Sequence, residues 1–315
     1  MPSSATIAFS NHRPESVPPA KRLMEVHGTI ILEEPPDENF EKMLSRTMSI
    51  ESYLETLDIE YPEFGRAISR TLRNLHDQGK AIFQVEPFME RLLEIHGLFS
   101  QGGSPSDIQP GTDLHAVYHS ERKATAALLR FYRVSTSGSF EETISAVKKF
   151  ALMDAERFSL RDNMRAKAVS EIITGQGSYY IEAGQIHYPL WRRLKSLLPR
   201  AYPLKVRFLM KDAVREMGYR GHLYGPGDLL TLSYLFHENS DEKTEDLMAA
   251  RALIYNKLIW KEEITESSVP YPHTLDEFET AETVRKLSLD DCRRLFASIR
   301  SVSTLEAREI IRGRP

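Results

Sequence analysis

Five short apolar runs, set between longer amphipathic stretches, constrain what this chain can fold into more than any other feature. They fall at residues 6–9, 29–32, 81–85, 178–181 and 204–210. Each is shorter than a helix needs and carries β-favouring side chains, so each reads as a strand. Pro35 and Pro36 follow the second run, and proline has no N–H with which to continue a ladder. The stretches between the runs have helical spacing. Residues 64–78 put Ile68, Leu72 and Leu75 on one face, and residues 89–99, 114–132 and 140–158 behave alike. A further helix opens at Arg161, carries apolar residues at helical spacing from Met164 to Ile173, and is expected to stop at Gly175 and Gly177.

Strands alternating with helices predict an α/β (α+β) fold, a central mixed sheet of about five or more strands covered by helices. Residues 1–225 read as the α/β core domain, with a helical insertion at about 110–160, and residues 226–315 as a helical C-terminal region. The stretch 101–111, rich in Gly, Ser and Pro, reads as a loop over the site.

Composition narrows the function classes. The net charge of −4 gives no basic field of the kind nucleic acid attracts, so no nucleic-acid partner is expected. No apolar run approaches the roughly 20 residues of a membrane-spanning helix, and residues 1–16 lack the pattern of a secretory signal. The single cysteine, Cys292, makes no intrachain disulfide, which fits a reducing cytoplasm. The expected partner is a small-molecule or peptide substrate, and the large helical fraction leaves surface for a homo-oligomer.

In layered α/β sheets ligands bind outside the carboxyl ends of the strands. Four of the runs deliver ionisable groups to that end: His12 after the first, Glu33 and Glu34 after the second, Glu86 after the third, Glu182 and His187 after the fourth. Each position taken singly is ordinary, because strands end at the surface. Together, two imidazoles and several carboxylates can bind a divalent cation such as Mn²⁺, Co²⁺, Zn²⁺ or Fe²⁺, or activate water without one. His115 and His119 share a helix face but lack a Glu-x-x-His signature, so they read as structural.

The order of these groups resembles the broad superfamily that includes TraB/PrgY proteins, TIKI metalloproteases, ChaN-like haem-binding proteins and erythromycin esterases. The matching residues are His12, Glu33 or Glu34, Arg161 in RDNMRAKAV, and Gly184-Gln185-Ile186-His187, with Glu86 in FQVEP as a further acidic strand end. The resemblance covers about residues 5–215. One motif departs from the pattern: Phe9 stands where the superfamily has glycine. The resemblance implies a metal-dependent or His-dependent hydrolase. His12, Glu34 and His187 would be the metal ligands, and Glu86, Arg161 and His187 the catalytic groups. Arg161, Glu182 and Gly184 would contact substrate. A non-catalytic ligand-binding or regulatory protein on the same fold is the alternative.

Overall fold

The computed structural model describes residues 3–57, 59–174, 176–221, 224–236 and 240–313. Gly175, expected to help end a helix, lies outside the described residues. In chain order the first elements are β1 (Ser4–Ser10), α1 (Val17–Glu25), β2 (Thr29–Leu32), α2 (Glu38–Leu44), α3 (Ile50–Leu54), α4 (Pro62–Asp77) and β3 (Ala81–Gln84). Then come α5 (Pro87–Ser100), α6 (Asp113–Ser137), α7 (Phe140–Ile172), β4 (Ser178–Gly184), α8 (Tyr188–Leu197), β5 (Leu204–Phe208) and α9 (Lys211–Glu216). Five helices follow: α10 (Pro226–Leu235), α11 (Glu242–Leu258), α12 (Pro272–Arg285), α13 (Leu289–Ile299) and α14 (Thr304–Arg312). No helix among the described residues is long and apolar enough to cross a membrane.

The chain divides into two compact units. The first holds residues 1–117, 160–220 and 262–271, and the second holds residues 118–159, 221–261 and 272–315. The helical insertion from residue 118 and the C-terminal helices α10 to α14 therefore share one unit, while residues 262–271 between α11 and α12 belong to the first, a grouping the linear sequence does not display. Their common core explains it. Phe140, Ile144, Val147 and Ala151 of α7 pack with Leu253 of α11, Leu295 and Phe296 of α13, and Ala307 of α14. Cys292 is buried in the same cluster, and burial pushes its thiol up to about 11, which makes it a core residue.

The first unit is built on one five-stranded sheet of order β3-β2-β4-β1-β5. All four strand pairs are parallel, so the sheet is not mixed as expected. The cause is connectivity. Every strand is followed by at least one helix, and parallel neighbours require such crossovers. Both faces are covered. Ala8, Ile30, Leu32, Ile82 and Tyr180 face a core closed by α1 to α4. Ile7, Phe9, Ile31, Ile181 and Ala183 face a second core with Val169 of α7 and Leu190 and Leu194 of α8. The alternation along β1 and β4 is the period-two pattern of strands buried on both sides.

This topology positions the site. β4 lies between β2 and β1, with Ile31 paired to Ile181 and Ser10 paired to Gly184. The carboxyl ends of β1, β2 and β4 therefore meet along one rim. α7 runs 33 residues without a break, so Arg161 sits inside a helix rather than opening one. No glycine or proline occurs between Phe158 and Arg161 to stop it. The stretch 101–111 is pinned by a turn in which the Asp107 carboxylate accepts from the Ser104 N–H at 2.7 Å, with Ile108 buried beside it.

Candidate active site

The innermost layer of the rim is a cluster of buried charges. Glu33 directly follows β2. Its Oε2 accepts the Gly184 N–H at 2.5 Å, and its Oε1 lies 3.0 Å from His187 Nε2 and 3.2 Å from Arg161 Nη2. Arg165 Nη1 stands 3.7 Å from the same carboxylate. The other ring nitrogen of His187, Nδ1, is 2.6 Å from Asp162 Oδ1. Glu86, the residue after β3 and its neighbour Val85, is fully buried, 3.1 Å from Arg161 Nε and 3.8 Å from Arg165 Nε. Arg165 also donates to the Val85 carbonyl at 2.9 Å and the Glu182 carbonyl at 2.7 Å, tying the ends of β3 and β4 together.

The surroundings set the charge states. Burial alone would lower the His187 pKa, but the carboxylates of Glu33 and Asp162 outweigh it and push it up to about 9. His187 is thus an imidazolium at neutral pH, donating from both nitrogens. Burial works to raise Glu33, yet His187, Arg165 and Arg161 hold its carboxyl well below the usual range. For Glu86 the balance goes the other way: burial raises its pKa against the pull of Arg161 and Arg165. Neither Glu86 oxygen makes an aligned hydrogen bond, so charge attraction alone opposes its burial.

A second layer faces outward. His12 takes a left-handed backbone (φ 51°), a conformation that costs a non-glycine residue about 1 kcal/mol or more. Its side chain is 36% exposed, and its Nε2 lies 3.8 Å from Glu182 Oε1. Glu182 is buried within β4 and its other oxygen accepts the Glu33 N–H at 3.3 Å. Glu34 accepts from Gln84 Nε2 at 3.0 Å. The residue keeps some exposed surface, but its carboxyl group is packed in protein, and burial followed by the charge of Glu182 raises its pKa to about 7. Gly184 stands between the layers. A Cβ there would come within 3.3 Å of His187 Cδ2 and 3.7 Å of both His12 Cε1 and Glu33 Oε2.

Every site residue expected from sequence lies at this rim: His12, Glu34, Glu86, Arg161, Glu182, Gly184 and His187. They divide between the two layers. Glu33, not Glu34, contacts His187, while Glu34 belongs to the outer layer with Glu182. Asp162 and Arg165 were not anticipated. Arg161 and Arg165 are four apart in RDNMR and share a helix face, a spacing that solvated arginines show equally. His115 and His119 lie along α6, half-buried and exposed respectively.

The inner donors do not fit a divalent cation. With Glu86 ionised, Arg161, Arg165 and His187 balance Glu33, Glu86 and Asp162, three charges against three. Adding two positive charges beside two guanidiniums would leave them uncompensated in a low-dielectric interior. Both oxygens of Glu33 and both nitrogens of His187 already have protein partners. Among the described residues, no three His, Cys, Asp or Glu side chains are disposed to hold a metal ion.

No family model matches the chain. It is similar to a protein of Archaeoglobus fulgidus described as uncharacterized, 27% identical over 291 residues, which covers 92% of this chain and 97% of the relative. That alignment takes in segments of both units. No solved structure matches.

Proposed function

We infer that the protein is a hydrolase working by acid–base chemistry at this rim, without a metal. The observation that carries the reading is the meeting of His12, Glu34 and Glu182 over a core in which Arg161, Arg165 and His187 stand against Glu33, Glu86 and Asp162. His12 is the exposed imidazole, with Glu182 as its carboxylate partner, and it takes a proton from water as that water attacks a carbonyl carbon. Glu34, with its pKa about 7, holds a proton near neutral pH and gives it to the leaving atom as the bond to carbon breaks. The proton on His12 then returns to solvent and Glu34 takes one up from solvent, which restores both groups. Arg161, at the margin of both layers, supports the negative charge that develops on the carbonyl oxygen. His187 keeps Glu33 in place and contributes fixed charge. The base role goes to His12 because both His187 ring nitrogens are engaged by carboxylates. The ordered resemblance to the TraB–TIKI–erythromycin-esterase superfamily supports the same reaction class.

One observation favours a metal-dependent variant. Asp162 on His187 Nδ1 is the arrangement that orients metal-bound histidines. Elemental analysis of the purified protein separates the two readings, the metal-free one expecting no stoichiometric Mn, Co, Zn or Fe.

The functional test is hydrolysis of a panel of aryl esters, lactones and dipeptides by the wild type, His12→Ala and Glu34→Gln. The expected result is a kcat loss of about 10²–10⁴-fold in His12→Ala. Full activity in that variant, or no turnover of any panel member by the wild type, counts against the reading.

A further inference from the structure

α4 begins beside the rim and lacks a cap of its own. Tyr61, in the N-cap position, makes no side-chain capping bond. The cap comes from 200 residues further along the chain. Glu263 Oε2 accepts the Glu63 N–H and Glu263 Oε1 accepts the Phe64 N–H, each at 2.8 Å. A carboxylate using both oxygens on the first N–H groups of a helix satisfies orphan donors and complements the helix dipole. Residues 262–271, which carry Glu263, belong to the same compact unit as α4. Their far end is tied to that unit too, through the Tyr271 hydroxyl donating to Glu216 at 2.9 Å.

The residues held by this cap are the ones that touch the loop after β1. Phe64 packs its ring against the His12 ring, centroids 5.6 Å apart and planes tilted by 55°. Tyr61 lies under the Arg13 guanidinium, 3.8 Å from ring centre to carbon. His12 holds a left-handed backbone whose N–H donates to Ser10 Oγ at 3.0 Å, which fixes the main chain of the loop but not the His12 ring. The start of α4 is the element packed against that ring.

We propose that Glu263 is a positioning residue for His12, acting through the first turn of α4 and the Phe64 ring. This rests on His12 being the working imidazole. Segment 262–271 is accordingly part of the site's support. Loss of the Glu263 carboxylate frees the Glu63 and Phe64 amides, lets the Phe64 ring swing, and uncovers the His12 imidazole. Glu182 and the buried charges behind it are untouched.

The test reads His12 directly, without turnover, so its outcome is separable from whether the protein is a hydrolase. Carbethoxylation of His12 by diethyl pyrocarbonate is followed by peptide mass spectrometry in the wild type, Glu263→Ala, Glu263→Gln and Phe64→Leu. Amide hydrogen exchange is measured on the same four proteins. In Glu263→Ala the Glu63 and Phe64 amides are expected to exchange about tenfold faster or more, with unchanged protection along β1 and β4. His12 is expected to react about threefold faster or more, with Glu263→Gln between the two. Phe64→Leu should speed His12 modification while leaving the cap amides protected. If the cap amides loosen but His12 reactivity stays at the wild-type value, Glu263 is only a helix cap and the proposal fails. If Glu263→Ala does not fold, an unchanged His12 rate in Phe64→Leu is enough to overturn it.

Discussion

Glu33 and Glu34 are neighbours in sequence and opposites in chemistry. Glu33 is held well below the carboxylate range by His187 and two guanidiniums, and Glu34 is raised to about 7 by burial and Glu182. Sequence alone matched either residue to the motif and favoured Glu34 as the partner of His187, because a one-residue step past the end of β2 decides which side chain enters the ion cluster. As the general acid, Glu34 must carry a proton. The kcat/KM of the hydrolase is therefore expected to fall as pH rises through about 7, and Glu34→Gln should remove that limb. An unaltered alkaline limb in the variant would take the acid role from Glu34. His187 gives a stability prediction. Its pKa is about 9 folded against 6.5 for a free imidazole, so the folded chain binds the additional proton between those values. The stabilisation is full below about 6.5 and is lost as pH rises through about 9. Urea titrations of the wild type should follow that course. His187→Gln should flatten it and cost about 3–5 kcal/mol near neutral pH, the usual penalty for stranding buried charges. Gly184→Ala pushes a methyl against His187, and a loss of about 1–3 kcal/mol is expected from the same titrations.

Among the elements, α7 carries the most consequence for the site. It supplies Arg161, Asp162 and Arg165 from one continuous stretch, so their common facing depends on unbroken helical phase. Inserting one alanine between Asn163 and Met164 rotates Arg165 by about 100° relative to Arg161 and Asp162. The expected outcome is retained helical circular dichroism with the same flattened pH dependence and the same kind of stability loss near neutral pH as His187→Gln. Wild-type pH dependence in the insertion variant would mean the cluster does not rely on that phase. The strands were legible because each is a short β-favouring run between turn residues, and β2 matches residues 29–32 to the residue. β4 runs three residues further than its apolar run, through Glu182 and Gly184, because a carboxylate and a glycine are tolerated where the strand meets a polar rim. Asp162 and Arg165 were not legible as site residues. On a charged helix face, side chains that enter an ion cluster look the same as solvated ones.

At the scale of the molecule, the α/β class follows from alternation, but the parallel order of the strands does not. Alternation alone fixes neither which strands pair nor their direction, and β4 enters the sheet between two strands formed much earlier in the chain. The same holds for the second unit, whose core joins residues more than a hundred positions apart. The resemblance was built on short motifs, and a cluster that balances three basic side chains against three acidic ones emerges only when those motifs are brought together. That balance is the central claim. It predicts no rise in thermal midpoint on adding Mn²⁺, Co²⁺ or Zn²⁺, measurable by differential scanning fluorimetry. The most direct test is nitrogen NMR of the His187 side chain across a pH series. The balanced cluster predicts an imidazolium with both ring nitrogens protonated at pH 7, giving up a proton only near pH 9. A neutral ring at pH 7, or a ring nitrogen bound to metal, would contradict it.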